Sequence, residues 1–186
     1  MALPDTTAAD AADMAAAALG DRQAFGRLSQ RHQGWLLGFT QRLLGNRAAA
    51  EETVQQTWLQ AWEAAPGWEP RARLSTWLYQ IAYRLCLDQL GRNARWAGEV
   101  AEDWPDPAPD GEARASQAQQ ARLVQQALAQ LPPRQRAALV LCYYQELSQG
   151  EAAALLEVSE SALESLLVRA RTALRRSLAP LRENAP

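Results

Sequence analysis

The sequence predicts an all-α protein built of two small helical domains joined by a flexible acidic linker. Three observations carry this reading. No segment alternates as a strand does, while apolar residues recur at spacings of three and four through most of the chain. Residues 97–113 hold Pro105, Pro107, Pro109 and Gly111 with six acids and no base, a composition that forms neither helix nor core. Leu147 to Leu178 reads as a short helix, a tight turn and a longer helix with a basic outer face.

The first domain is expected over residues 10–96, after a disordered tail at 1–9. Asp10–Leu19 is a short helix ended by Gly20. Asp21–Leu44 is a long helix with Phe25, Leu28, Trp35, Leu36 and Phe39 facing the core, stopped by Gly45–Asn46. In the next helix, Ala48–Ala65, a stripe of Val54, Trp58, Ala61 and Ala65 faces inward. Glu52, Gln56, Leu59 and Glu63 point away, with Gln55 at the border. Pro66–Gly67 breaks the chain, and residues 67–73 form a loop. In the helix from Leu74 to Arg95, the expected core stripe is Leu74, Trp77, Leu78, Ile81 and Leu85. Tyr79, Gln80, Tyr83, Arg84, Arg92 and Arg95 fall on its other side. Aromatics interleaved with Arg are what a single-stranded nucleic-acid platform needs, since rings stack on bases and cations meet phosphates. Core packing is the preferred role for Trp77 and an equal alternative for the tyrosines.

The second domain is expected over 114–179, with a frayed tail at 180–186. Its first helix runs from Arg114 to Leu131 and its second from Arg134 to Tyr144, separated by Pro132–Pro133. Ser148 and Glu151 have the S-x-x-E spacing of a capping box. After the turn Glu157–Val158–Ser159, capped by Ser159 or Ser161, the last helix puts Leu163, Leu166, Leu167, Ala170, Leu174 and Leu178 on one face. Ser165, Val168, Arg169, Thr172, Arg175 and Arg176 lie opposite. Such a unit reads a DNA groove with its second helix. The competing reading is a helical hairpin with a solvated basic face.

Composition excludes several classes. No run approaches the roughly 20 apolar residues of a membrane span. The Ala-rich N-terminus carries three Asp and no Arg or Lys, unlike a secretory or transit peptide. Cys86 and Cys142 lie far apart, and no ligand-spaced Cys/His set exists. Buried thiols in a reducing cytoplasm are expected, with neither metal nor cofactor. His32 is expected to be a surface or packing residue. The net charge of −2 opposes nucleic-acid binding until the acidic linker is set aside, which leaves +4 on the rest. All 19 basic residues are Arg, whose donor fork suits phosphate and guanine.

Five stretches, in order, resemble the extracytoplasmic-function sigma factors, the small two-domain members of the bacterial sigma-70 family. They are AFGRLSQRHQGWLLGFTQRLLGN, AEETVQQTWLQAW, STWLYQIAYRLCLDQLGR, LPPRQRAALVLCYYQELS and EAAALLEVSESALESLLVRARTALRR. The resemblance covers about Asp10 to Leu178. It implies a sigma-2-like and a sigma-4-like domain, and a protein that is not an enzyme but directs core RNA polymerase to promoters and helps melt them. It implies that Glu52, Gln55, Gln56 and Leu59 meet the β′ clamp helices, and that the β flap is a second polymerase contact. Trp68, Arg71, Arg73, Leu74, Tyr79, Tyr83 and Arg84 would hold the melted minus-ten strand. Glu164, Ser165, Val168 and Arg169 would face minus-thirty-five bases, and Arg171, Arg175 and Arg176 the phosphates. It also implies an anti-sigma partner that occludes both domains.

The chain departs from the family pattern at several places. Arg84 stands where the family has Asn, and Gly91 where it has Arg, which weakens helix and charge together. Glu52 and Gln56 make the clamp face less acidic. Glu157 replaces the Gly of the turn and costs roughly 1 kcal/mol if the backbone there is left-handed. The reading helix starts Ala162–Leu163 and carries Leu166 on its core face. Two other readings compete: a stand-alone helix-turn-helix regulator, and a sigma-like adaptor that binds a partner without initiating.

Overall fold

The computed structural model describes residues 7–70, 73–95, 112–145 and 147–183. Among these, every regular element is helical. Helix α1 (Thr7–Ala18) leads into α2 (Arg22–Leu44), α3 (Arg47–Ala64), a 3-10 turn at Ala65–Gly67 and α4 (Leu74–Arg95). Beyond residues 96–111 come α5 (Glu112–Ala129), α6 (Pro133–Tyr143), α7 (Gln149–Leu155) and α8 (Glu160–Glu183). Most of the expected linker, the tail 1–6 and Arg71 lie outside the described residues.

Local chemistry sets the boundaries. The Asp21 carboxylate accepts from the Gln23 and Ala24 amides and starts α2. Gly45, at φ 70°, ends it in the left-handed region and returns its N–H to the Gln41 carbonyl. Asn46 then caps α3 through the Ala49 amide. Ser148 and Glu151 form the expected reciprocal box at the start of α7, and Ser159 caps α8. The last helix outruns its expected end: the chain stays helical through Pro180 to Glu183 rather than fraying at 180.

The two helical groups pack directly on each other. One apolar cluster joins Leu28, Leu36, Phe39 and Leu78 of the first group to Val140, Leu141, Leu155 and Leu163 of the second. A smaller one, Leu128, Leu131, Leu139 and Ala170, lies within the second group. Arg136 is a polar rivet in this core. Its guanidinium donates to the carbonyls of Leu43 in α2 and of Ala129, and at 3.1 Å to that of Leu131. It thus satisfies the carbonyl ends of α2 and α5, which have no partner inside their own helices. Burial pulls its pKa down from the ordinary arginine value.

Helix α4 is wrapped more completely than one stripe allows. Leu74, Leu78, Ala82 and Cys86 are buried, and so are Ser75, Tyr79 and Tyr83, while Trp77, Ile81 and Leu85 are only half-buried. The outward placement of Tyr79 and Tyr83 is therefore corrected. Tyr79 packs its ring against Trp35 (4.4 Å between centroids) and Phe39 (4.8 Å) in α2. On the side that sequence spacing left open, α2 takes the Tyr79 ring, Gln145 of the second group takes its hydroxyl, and Arg84 stays exposed.

Candidate nucleic-acid interface

Helix α8 presents its polar face whole. Leu163 and Leu167 are buried in the main core and Ala170 in the smaller cluster with Leu128 and Leu139, while Leu166 is half-buried against the core, as its spacing predicts. The amphipathic stripe therefore fixes the rotation of the helix and turns the opposite residues outward. Glu164, Ser165, Val168 and Arg169 are all exposed and together line one shallow, open depression. Val168, at 50% exposure, is its apolar member. Arg171, Arg175 and Arg176 continue along the exposed side toward the helix C-terminus. A short polar side chain, a methyl-bearing one, an acid and a guanidinium side by side can hydrogen-bond base edges and meet a thymine methyl.

The turn before α8 aims it. Glu157 has φ 55°, the left-handed conformation that the sequence raised as a possibility at this non-glycine position. Its carboxylate pairs with Arg84 of α4 at 2.8 Å, across the two helical groups. Both partners are well exposed, so the pair contributes little stability.

Helix α3 turns Glu52, Gln55, Gln56 and Leu59 outward, while Thr53, Val54, Thr57 and Ala61 are buried. Leu59 is 51% exposed in this polar surface. The outward quartet lies on one side of the helix by its three-four spacing, and the buried Thr53 and Thr57 hydroxyls donate to the carbonyls of Ala49 and Thr53 in the preceding turns, at 2.8 and 2.7 Å. Buried threonines thus extend the inward stripe without an unsatisfied polar atom.

The seven residues expected at the melted strand are split. Arg73 and Arg84 are exposed, and Trp68 is half-buried beside Trp77, with centroids 6.4 Å apart. Leu74 is buried in the core, so its expected strand contact is corrected to packing. The Tyr79 hydroxyl, fully buried, donates to Gln145 Oε1 of the second group at 2.5 Å. The Tyr83 hydroxyl is buried with no hydrogen-bond partner among the described residues. Burial raises both phenol pKa values. Nearby, Arg42 of α2 stacks 4.5 Å from the ring centre of Tyr144. The second helical group therefore lies over the tyrosines of α4, while the outward faces of α3 and α8 stay open.

Gln145, Arg136 and Tyr144, which make these contacts, carried no assignment from sequence. No periodicity marks a residue whose partner lies 66 positions away, as Gln145 lies from Tyr79. The ionic clasp of α1 was missed in the same way. Asp13 meets Arg27 and Arg31 at 2.5 Å, and Asp10 meets Arg31 at 3.0 Å. His32 is buried, with Nε2 2.8 Å from Asp10 Oδ2 and Nδ1 accepting from the Trp35 indole at 3.0 Å. Because an indole only donates, Nε2 carries the imidazole proton toward Asp10. The packing alternative for His32 is the one realised. Cys86 is buried, its thiol pushed up to about 12, and Cys142 is half-buried, so neither is a poised nucleophile.

Comparison with known proteins agrees with this geometry. Residues 28–96 match the family described as Sigma-70 region 2, and residues 121–174 the family described as Sigma-70, region 4. The chain is 35% identical over 169 residues to the ECF RNA polymerase sigma factor SigM of Mycobacterium tuberculosis, covering 91% of this chain and 84% of SigM. It resembles the solved structure of CnrH in complex with the cytosolic domain of CnrY, with a TM-score of 0.68 and 30% identity. That match covers 95% of this chain and 99% of the other. It shares its fold with the sigma factor RpoE, solved with the anti-sigma factor NepR from Bartonella quintana. There the TM-score is 0.67 at 23% identity, covering 83% of this chain and 96% of that one.

Proposed function

This chain belongs to the extracytoplasmic-function sigma factors of the sigma-70 family, and from that premise we propose how its surfaces divide the work of starting transcription. As a sigma factor it binds core RNA polymerase and directs it to promoters by reading promoter DNA and assisting strand melting. Its work is binding rather than catalysis. We divide it into domains at 10–96 and 114–179, around the acidic linker 97–113, with end segments at 1–9 and 180–186.

The observation that carries the residue-level reading is the exposed depression on α8 bordered by Glu164, Ser165, Val168 and Arg169. Entering the major groove by its N-terminal half, α8 offers Ser165 and Arg169 to base edges, Val168 to a methyl group and Glu164 to a cytosine amino group. Arg171, Arg175 and Arg176 then lie along the backbone as phosphate contacts. The α3 face of Glu52, Gln55, Gln56 and Leu59 docks on the β′ clamp helices, and the second domain meets the β flap. Trp68, Arg71, Arg73 and Arg84 border the melted minus-ten strand. Tyr83 joins them once the second domain lifts away, while Leu74 and Tyr79 support the site from the core.

The CnrH–CnrY and RpoE–NepR complexes support an anti-sigma partner for this chain. No described helix is long and apolar enough to cross a membrane, and a polymerase subunit works in the cytoplasm. The deciding experiment adds purified protein to core polymerase on a genomic promoter library. Initiation at a defined promoter class is expected. Duplex binding without polymerase would instead identify a stand-alone regulator, and polymerase binding without initiation an adaptor. On the selected promoter, Arg169→Ala should relax preference at particular positions. Arg175→Ala should weaken all sequences alike and lower the salt dependence by about one contact.

A further inference from the structure

Among the described residues, the large apolar or aromatic side chains that stand exposed are Leu19, Leu59, Tyr143 and Val168. Leu59 and Val168 fall on the two faces already assigned. Tyr143 falls on neither, although it closes α6 at 54% exposure in the same domain as α8. An aromatic ring left in water at a helix end is unexplained by packing.

Its hydroxyl explains it. Arg171 of α8 reaches the Tyr143 oxygen with Nη1 at 3.3 Å, while its Nε bonds the Leu167 carbonyl at 3.3 Å. A guanidinium only donates, so the tyrosine oxygen is the acceptor and keeps its own hydrogen. Arg171 continues the line Glu164, Val168, Arg171, Arg175, whose spacings of four, three and four follow one side of the helix. The phenol is thus held at the rim of the reading face, polarised by a cation, with an O–H to give. The acceptor that a duplex presents at the rim of a groove-bound helix is a phosphate oxygen.

Resting on the assignment of α8 to the promoter groove, we propose that Tyr143 donates a hydrogen bond to a backbone phosphate of the upstream promoter element, paired with Arg171 as a two-residue phosphate clamp. The contact comes from α6, outside the reading helix, and so fixes the angle at which α8 enters the groove. It carries no base preference and no charge.

The test measures promoter binding by holoenzyme across a randomised upstream element at several salt concentrations. Tyr143→Phe keeps the ring and removes only the hydroxyl. It should weaken every sequence alike, by roughly 3- to 10-fold, and leave the salt slope unchanged. Arg171→Ala should reduce that slope by about one contact. In the Arg171→Ala background, Tyr143→Phe should still weaken binding. A fall in salt slope with Tyr143→Phe, or silence in that background, would show that the tyrosine only positions Arg171, and would overturn the phosphate contact. Wild-type binding, a sequence-dependent loss, or an equal loss of the variant's affinity for core polymerase in the absence of DNA would overturn it too. If Arg169→Ala still shifts base preference, the failure belongs to Tyr143. If Arg169→Ala, Arg171→Ala and Tyr143→Phe all bind as wild type, the groove assignment of α8 has fallen.

Discussion

At the scale of single residues, Glu157 carries the clearest strain. Its φ of 55° places a β-carbon in the left-handed region, where glycine is the unstrained choice. Its compensation is an exposed ion pair with Arg84, worth little in water. Glu157→Gly should therefore stabilise the protein, by about 0.5–1 kcal/mol, the strain relieved outweighing the pair lost. Urea unfolding monitored by circular dichroism measures this, and a lowered midpoint would show that the pair matters more than the backbone. The position was legible in sequence because Glu157 stands where the family resemblance places a turn glycine. Tyr79 and Tyr83 were not legible at this scale. Both fall outside the apolar stripe that spacing marks on α4, although the Tyr79 ring packs on Trp35 and Phe39 of α2. Only neighbouring helices turn such positions into an interior.

Among the elements, α3 and α1 show how a helix face acquires a role. The inward stripe of α3 is filled by Val54, Ala61 and two self-satisfied threonines, so its outward face is free of structural duty. Gln55→Arg with Leu59→Glu should lower affinity for core polymerase by about 1–3 kcal/mol, the range of central interface residues. Thermal unfolding should barely move, because both side chains are exposed. Unchanged affinity would remove the clamp assignment.

Helix α1 is held differently, by Asp10 and Asp13 against Arg27, Arg31 and His32. The hydrogen bond from Arg27, and after it that from Arg31, holds the Asp13 carboxyl below its ordinary range against the opposing effect of burial. A carboxyl whose pKa is lowered by folding stabilises above its unfolded pKa, and that contribution is lost as pH falls through the lowered folded value. Asp13→Asn should thus destabilise by about 1–3 kcal/mol at neutral pH. The gap to wild type should close as pH falls below about 4, the ordinary carboxyl pKa. A gap constant down to pH 3 in melting experiments would show that the clasp is steric rather than ionic.

For the whole molecule, the arrangement of the two helical groups is itself the main structural fact. The open faces of α3 and α8 coexist with a covered α4, in which Gln145 accepts from Tyr79 and Tyr144 lies under Arg42. Gln145→Ala would leave the buried Tyr79 hydroxyl without a partner in the closed arrangement, while in an opened one water would serve it. The variant should loosen closure by about 1–3 kcal/mol and raise affinity for a single-stranded minus-ten oligonucleotide. It should also speed hydrogen exchange in α4 and α6. Equal oligonucleotide affinity in wild type and variant would mean that closure does not limit strand capture.

What the sequence determined by itself was everything that local chemistry controls. Capping residues, Gly45, Pro66–Gly67, Pro132–Pro133 and three-four periodicity placed the helices within a few residues. The spacing of apolar residues in α3 and α8 already decided which residues face out, because each helix has one inward stripe. Motif order then identified the family. What only the tertiary structure decided was every contact between distant segments: the Asp–Arg–His clasp of α1, the Arg136 rivet into the end of α2, and the burial of Tyr79 beneath Gln145. The physical reason is that periodicity reports how many faces of a helix prefer to leave water, but not which neighbour covers them. For α4, covered on two sides, the identity of that neighbour is what sets its role.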